Sequence, residues 1–309
     1  MPQIRRHRLL PLALAALLAS ALPTLAQAGD DDAPPPSMAE LLDASSPADW
    51  RSLDPENTVY LELDAGRVII ELAPDFAPAH AENVRTLARG HFWDGLSVYR
   101  SHDNFVVQWG DPESGDARRP VGAARDALPA EFERNASGLE FHALPDADGW
   151  APEVGFAAGF PAGRDPHEGK AWLAHCYGMV GAGRNAEPDS SIGAELYAVI
   201  GQSPRQLDRN ITLVGRVVKG IELLSSLPRG PEPMGFYEDP AQRTPILSVR
   251  LASEVPAGER LRLQALRTDS AAFAELVEAR RNRRDDFYKR PAGHIDLCNV
   301  MLPVRVAAD

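Results

Sequence analysis

The stretch VYRSHDNFVVQWGD, residues 98–111, places a cation and an amide inside a run that is otherwise typical of a buried strand. Its valines and aromatic residues favour strands. Arg100 and Gln108 do not suit a dry interior, because a buried guanidinium is costly unless its hydrogen-bond donors are used. The stretch therefore predicts a strand pair in which Arg100 either forms a structural ion pair or lines a groove.

Short apolar runs bounded by turn residues precede this stretch. TVYLELDAGRVIIEL, residues 58–72, holds two runs rich in β-branched residues around Asp64, Ala65 and Gly66, which is the pattern of a hairpin. PAHAENVRTLARGHF, residues 78–92, begins with a proline suited to a first helical position and carries apolar residues at helical spacing. The ordered part of the chain therefore opens with strand, turn, strand and helix.

More short strands follow the quoted stretch. The runs AWLAHCYGMVGAG (171–183), ELYAVIG (195–201) and ITLVGRVV (211–218) are each bounded by Gly, Pro or Asp. GIELLSSLPRG (220–230) predicts a short helix stopped by proline, and TPILSVRLASEV (244–255) predicts a last strand. Many short strands with two short helices favour a closed antiparallel barrel over alternating strand-helix-strand units.

Three other segments differ in composition from this pattern. Residues 1–28 have a basic start, an apolar run and a final AQA, which indicate a cleaved signal peptide and a periplasmic protein. Residues 29–57 are rich in Asp, Pro and Ser and predict a flexible segment with one helical turn near 38–42. Residues 112–169 show no clear periodicity and predict a long inserted loop.

The last region, residues 256–309, predicts an extension with one helix. Thr268 or Asp269 is suited to cap this helix, and arginines near its end complement the helix dipole. We expect the apolar stripe of the helix to pack on the barrel rather than on a partner protein. The stripe consists of Phe273, Leu276 and Val277.

The charge balance excludes some partners. The formal net charge of −12 becomes −15 when the signal peptide, with its three arginines and no acidic residue, is removed. An acidic surface of this size argues against nucleic acid and anionic membranes as partners. No other stretch approaches the apolar length that a membrane span requires. We therefore expect no nucleic-acid binding and no membrane insertion, and the sequence gives no oligomeric state.

The sequence contains two cysteines, Cys176 and Cys298. In an oxidising compartment they could pair, which in the chain-entropy model would stabilise the fold by roughly 4 to 5 kcal/mol. The alternative is two buried thiols in a protein large enough to fold without a disulfide. The sequence alone does not decide between these alternatives.

Motifs of the simple enzyme classes are missing. The histidines show neither HExxH nor zinc spacing, the glycine-rich GMVGAG lacks a P-loop lysine, and GxSxG does not occur. His102 and Asp103 are poorly placed to act together, because adjacent residues on a strand point to opposite faces. A hydrolase that uses His102 or His175 is therefore the least favoured hypothesis, and we expect no metal and no cofactor.

Taken together, these segments resemble the cyclophilin family of peptidyl-prolyl cis/trans isomerases. In that family a PxxAENF helix precedes an FxR....F..QxGD strand pair, and here these stand as PAHAENV (78–84) and VYRSHDNFVVQWGD. The resemblance covers roughly residues 58–255. It implies a mainly β fold, a closed eight-stranded antiparallel barrel capped by two short helices, with a substrate groove on its outer face.

The resemblance also implies a reaction and the residues that perform it. Rotation about an X-Pro amide faces a barrier of about 18 to 20 kcal/mol. Arg100 would donate to the proline nitrogen, which gains lone-pair character as the amide twists. Gln108 would hold the substrate backbone and the arginine, and Phe105 would form the floor of an apolar pocket for the proline ring.

The opposite wall of the groove departs from the family pattern. Glu195 stands in place of a glutamine and brings a possible charge, and Val106 replaces a bulkier apolar residue. Gln206 stands where many members have tryptophan. The substrate-binding residues that the resemblance implies are Val106, Gly183, Arg184, Glu195, Tyr197, Leu207 and Ile211.

Two functional hypotheses follow. The first is a peptidyl-prolyl isomerase that acts on proline-containing peptides or unfolded exported proteins and assists their folding. The second is a catalytically weak binding or chaperone-like protein for envelope proteins, which the altered groove, the insertion and the extension motivate. Acceleration of proline isomerisation, with and without Arg100, discriminates between them.

Overall fold

In the part of the chain that the structure describes, the strands form three antiparallel sheets of nine, five and three strands. The computed structural model describes residues 36–113, 117–283 and 287–307. The predicted signal peptide, residues 1–28, lies outside the described residues. Within them, no helix is long and apolar enough to cross a membrane.

Residues 36–113, 117–283 and 287–307 form few helices, and all of them are short. They are α1 (Met38–Ala44), α2 (Pro78–Arg89), α3 (Ile221–Ser225) and α4 (Ala271–Arg281). The strands of the first half are β1 (Trp50–Ser52), β2 (Thr58–Leu63), β3 (Gly66–Leu72), β4 (Ser97–Ser101), β5 (Val106–Gly110), β6 (Arg134–Asn135), β7 (His142–Ala143) and β8 (Glu153–Ala157). Those of the second half are β9 (Phe160–Asp165), β10 (Lys170–Leu173), β11 (Met179–Ala182), β12 (Leu196–Val199), β13 (Leu213–Lys219), β14 (Thr244–Pro245), β15 (Ser248–Leu251), β16 (Leu263–Leu266) and β17 (Val304–Val306).

The nine-stranded sheet is the barrel that the sequence predicts. Its order is β14-β4-β5-β12-β11-β13-β3-β2-β15, and every neighbouring pair is antiparallel. The predicted hairpin of β2 and β3 is present, with a connection of two residues, Asp64 and Ala65. Gly66 begins β3 at φ +137°, a conformation that residues with a Cβ rarely adopt. The predicted mainly β architecture with few short helices is confirmed.

The number of strands and the closure differ from the prediction. The expected last strand, 244–255, is divided into β14, which pairs with β4, and β15, which pairs with β2. The chain changes partner between them, because Ile246 donates to Leu96 while Leu247 donates to Glu62. The sheet therefore has nine strands rather than the predicted eight. It curls so that the neighbouring strands β14 and β15 form its two edges, and continuous strand pairing does not close it.

The predicted long loop at 112–169 contains regular structure. Its residues contribute β6, β7, β8 and β9 to the five-stranded sheet, whose order is β6-β10-β9-β8-β7. β8 and β9 form a tight hairpin through Ala158 and Gly159, which both have positive φ. The sequence hid these strands because Gly and Pro interrupt the apolar residues of EVGFAAGFPAGRD, residues 153–165.

The two ends of the described chain meet in the three-stranded sheet, whose order is β1-β16-β17. Residues 38–57, expected to be flexible, hold α1 and β1, and Trp50 of β1 pairs with Leu266 of β16. The predicted C-terminal helix is α4, but its cap is Ser270, whose side chain accepts from the Phe273 amide. The apolar stripe of this helix is buried, and the ring centroid of Phe273 lies 5.0 Å from that of Phe156 in the five-stranded sheet. The stripe therefore packs on this sheet as well as on the predicted barrel.

A disulfide joins Cys176, just before β11, to Cys298 in the extension. The bond settles the question that the sequence left open. It links residues separated by 122 positions and therefore connects the C-terminal extension to the start of a barrel strand.

Reduction of this disulfide should lower the free energy of unfolding by roughly 4 to 5 kcal/mol, because the unfolded chain loses a long loop constraint. Urea denaturation with and without a reductant measures the change. The Cys176→Ser/Cys298→Ser double variant is the control, since its stability should not respond to the reductant. An unchanged wild-type midpoint on reduction would contradict the expectation.

Candidate active site

The strand pair β4–β5 brings the two polar residues of the opening stretch together. Arg100 and Gln108 are direct partners in the register, and Arg100 Nη1 donates to Gln108 Oε1 at 3.1 Å. The register shifts between Val98 and Arg100, so Tyr99 lies in a bulge. A bulge re-aims side chains, and here Tyr99 reaches the same network as its neighbour Arg100.

The guanidinium of Arg100 is held on several sides. Nε donates to the Met234 carbonyl at 2.7 Å, and Nη2 lies 3.1 Å from His102 Nδ1. The guanidinium carbon lies 4.8 Å from the ring centroid of Phe236 and 5.7 Å from that of Phe105. Burial lowers the pKa of Arg100, but a guanidinium keeps its charge in proteins.

This arrangement leaves part of the Arg100 donor set available. A guanidinium has five N–H donors, and contacts with Met234, Gln108 and His102 use three of them. Each terminal nitrogen therefore keeps one N–H that none of these contacts uses. The side chain is oriented, charged and able to donate to a ligand.

A chain of hydrogen bonds leads from Arg100 to Glu195. Gln108 Nε2 donates to the Tyr99 hydroxyl at 2.6 Å, and the Tyr99 hydroxyl donates to the Glu195 carboxylate. The backbone N–H of Asp111 donates to the other carboxylate oxygen at 2.6 Å. Burial raises the pKa of Glu195 to about 7, so its charge changes near neutral pH.

Gly110 allows this carboxylate to approach the strand end. It has φ +141°, and a Cβ at this position would lie 2.6 Å from the Glu195 carboxylate oxygens. The Gly-Asp pair of the opening stretch therefore forms the turn at which Glu195 binds. It is a structural requirement of the site rather than a chemical group in it.

The apolar part of the site is a separate cluster. Val106, Tyr197 and Val199 are buried together, and the half-buried Phe105 and Ile211 pack against them. The predicted proline-pocket residues are thus mostly brought together. Leu207 is not part of this cluster; it ends a short 3-10 helix that precedes Ile211.

A buried polar network holds Tyr197. Its hydroxyl lies 2.9 Å from Nε2 of His175, whose Nδ1 lies 2.9 Å from an Asp208 carboxylate oxygen. Arg205 donates to Asp208 and also pairs with Asp148 of the inserted segment. His175 is fully buried, so it supports the cluster from behind and is not placed to meet a substrate.

The structure separates His102 from Asp103, the two residues considered as a general base and its orienting group. His102 contacts Arg100 and lies edge-on to Phe105 at 5.3 Å, whereas Asp103 pairs with Arg229 at 3.0 Å. Both residues lie beyond β4, which ends at Ser101, so the strand alternation assumed for them does not apply. They are nevertheless separated by their partners, because His102 contacts the arginine and Asp103 pairs with Arg229.

A cavity of about 670 Å³ opens beside Arg100 and Gln108. Predicted site residues Gly183, Arg184 and Glu195 also line it. The Arg184 guanidinium donates to the carbonyls of its own loop and of a neighbouring loop; these belong to Asn185, Ala186 and Asn210. Arg184 thus braces the rim of the cavity.

Sequence reasoning missed one wall of this cavity. Met234 and Phe236, on the segment after α3, are large apolar residues that stay 48% and 42% exposed while lining the cavity beside Arg100. Phe236 also stacks on Tyr99 with ring centroids 6.0 Å apart. The run PRGPEPMGFY, residues 228–237, shows no periodicity that could have placed it against β4.

The described residues offer one group of metal-ligating side chains outside the site. Glu140, His142 and Asp269 have ligand atoms within 4.8 Å of one another. Asp269 is already paired with Arg267, and none of the three lines the cavity beside Arg100. This group has no part in the site.

Comparison with known proteins gives concordant matches. The family model described as cyclophilin type peptidyl-prolyl cis-trans isomerase/CLD matches residues 58–251. A probable peptidyl-prolyl cis-trans isomerase of Brucella suis is 28% identical over 179 residues, which are 58% of this chain and 75% of that protein. The human peptidyl-prolyl cis-trans isomerase-like 1 is 26% identical over 216 residues, which are 70% of this chain and 99% of that protein.

A solved structure is similar over a longer part of the chain. The crystal structure of a cyclophilin from Hirschia baltica has a TM-score of 0.66 and 26% sequence identity, and the match covers 84% of this chain and 95% of that one. This coverage exceeds the 58–251 span of the family model. The similarity therefore reaches beyond the barrel.

Glu195→Gln should remove a pH dependence of stability. Burial raises the pKa of Glu195 from 4.5 to about 7, so between these values the folded state keeps a proton that the unfolded state has released. The free energy of unfolding should therefore fall as pH rises through this window, by up to roughly 3 kcal/mol. Urea denaturation at several pH values measures this change in the free energy of unfolding. Glu113→Gln, at an exposed carboxylate of the same cavity, should keep the wild-type slope; a Glu195→Gln variant that keeps it too would contradict the expectation.

Proposed function

The chain belongs to the cyclophilin-type peptidyl-prolyl cis/trans isomerase family, and from this premise we propose that Arg100 catalyses X-Pro isomerisation here by stabilising the twisted amide. The observation that carries the proposal is the geometry of Arg100. Its guanidinium is fixed by Met234, Gln108 and His102, it keeps an N–H on each terminal nitrogen, and it lies beside an apolar cluster.

The reaction requires no group other than oriented donors. Amide resonance makes the barrier about 18 to 20 kcal/mol, and the resonance is lost when the bond twists. The proline nitrogen then becomes pyramidal and accepts a hydrogen bond that the planar amide does not accept. A donor that is already oriented stabilises this state more than either planar state, which is the condition for catalysis.

The other residues have supporting roles in this proposal. Phe105, with Val106 and Tyr197, binds the proline ring by apolar contact. Gln108 accepts from Arg100 and donates to Tyr99, so it sets the position of the guanidinium. Gly183 and Arg184, which line the cavity, would contact the substrate chain next to the proline.

We further propose that the protein works on exported polypeptides in the periplasm. Two features support this location. Residues 1–28 have the composition of a cleaved signal peptide. The disulfide between Cys176 and Cys298 suits an oxidising compartment.

A second candidate function is binding of unfolded envelope proteins with little catalysis. It is favoured by Met234 and Phe236, which present exposed apolar surface next to Arg100. A binding protein of this kind would suppress aggregation of an unfolded protein equally well with and without the arginine. An isomerase requires the arginine for its effect.

Arg100→Ala should reduce kcat/KM for a proline peptide by roughly 100- to 1000-fold, because the donors to the twisted amide are lost. Arg100→Lys should also lose most activity, since an ammonium cannot reproduce the planar set of contacts. A protease-free NMR exchange assay measures the rate, and circular dichroism checks the fold. Arg89→Ala, at a surface ion pair on α2, is the matched control and should retain activity. Equal activity of the Arg100 variants and the wild type would refute the mechanism.

Phe236→Ala should lower kcat/KM roughly tenfold, because the guanidinium loses the ring that covers one of its faces. Phe236→Tyr keeps the ring and should retain most activity. The same NMR assay compares both variants with Leu247→Ala, a similarly exposed apolar residue outside the cavity. If the Ala and Tyr variants are equally active, Phe236 does not position Arg100.

A further inference from the structure

The cavity beside Arg100 is lined by more arginines than carboxylates. The chain as a whole has a formal net charge of −12, so a cationic cavity is a local exception on an acidic protein. Its lining includes four arginines and three carboxylates. These are Arg100, Arg118, Arg184 and Arg243, and Asp111, Glu113 and Glu195.

Two of the three carboxylates are already bound within the fold. Asp111 accepts from the backbone N–H groups of Glu113 and Arg119. Glu195 accepts from the Tyr99 hydroxyl and from the Asp111 backbone, and burial raises its pKa to about 7, so only part of the population is charged at neutral pH. Glu195 therefore offsets the arginines only in part, and the Asp111 carboxylate is held by its own backbone contacts.

Arg243 is a lining cation whose hydrogen bonding is incomplete. Its Nε is buried and has no hydrogen-bond partner among the residues that the structure describes. Arg243 lines the cavity, and an incompletely paired guanidinium at a cavity wall favours a ligand that brings an acceptor. The residue directly precedes β14, and Thr244 of that strand pairs with Val98 of β4. Arg243 is therefore held at a fixed place relative to Arg100.

Arg118 adds an exposed guanidinium to the same cavity; burial raises the pKa of Glu195, and the charge of Arg118 slightly opposes that rise. The volume of about 670 Å³ is sufficient for several substrate residues beside the proline. Guanidinium groups bind carboxylates by paired, charge-assisted hydrogen bonds. The chemistry of the lining thus matches an acidic side chain.

We propose that this cavity is a specificity subsite that binds an aspartate or glutamate side chain of the substrate polypeptide, close in sequence to the isomerised proline. Arg243 is the principal partner of the carboxylate, and Arg118 adds to the attraction. The inference rests on the proposed isomerase function and names the class of substrate for it.

The test is a set of peptides with a central Ala-Pro bond and an amidated C-terminus, which removes the terminal carboxylate as a competing source. Glu or the isosteric Gln is placed in turn at each of two positions before and two positions after the Ala-Pro pair. NMR exchange measures kcat/KM. At one position at least, Glu should raise kcat/KM about 5- to 10-fold over Gln, and this ratio should fall as salt increases.

Variants identify the cation responsible. Arg243→Gln should bring the Glu-to-Gln ratio close to one, and Arg118→Gln, at an exposed position, should lower it in part. Arg164→Gln is the matched control, because Arg164 lies in the five-stranded sheet and outside the cavity; this variant should keep the wild-type Glu-to-Gln ratio. A ratio that persists in the Arg243 variant would overturn the assignment of this residue.

The two levels of the proposal fail in different ways. Equal acceleration of Glu and Gln peptides at every position would refute the acidic subsite while leaving the isomerase function in place. Absence of acceleration with every peptide would refute the isomerase function, and this inference with it.

Discussion

A guanidinium inside a sheet needs acceptors for its donors, and much of the site follows from how Arg100 meets this requirement. Gln108 across the strand pair, His102 just after β4 and the Met234 carbonyl each take one N–H. Gln108 in turn needs an acceptor for its own amide, which Tyr99 supplies, and Tyr99 donates to Glu195. Fixing one cation thus orders residues on three separate chain segments.

The segments nearest the opening stretch were predictable because local patterns determine them. The β-branched runs around Asp64 gave the first hairpin, and Pro78 gave the start of α2. Arg100 and Gln108 were recognisable as candidate site residues because they contradict the strand in which they lie, and such contradictions are expected at functional sites. The family motif added the chemistry that the residues alone left open.

The missed features share a physical cause, which is that they depend on contacts between distant segments. The bulge that turns Tyr99 toward Gln108 is a property of strand pairing and leaves no trace in composition. The segment that carries Phe236 is held by backbone contacts with β4, such as the Ser101 amide to the Gly235 carbonyl. The strands of the insertion were hidden because Gly and Pro break their alternation, and tertiary pairing overrides that weak local preference.

The network behind Tyr197 also ties the inserted segment to the barrel. Arg205 is 4% exposed, and one of its carboxylate partners, Asp148, comes from the inserted segment. A chain without the insertion would keep the pair of Arg205 with Asp208 but would lose the two contacts of the guanidinium with Asp148. Buried donors without acceptors are costly. The insertion is therefore not an independent unit, and its removal would call for a change at Arg205 as well.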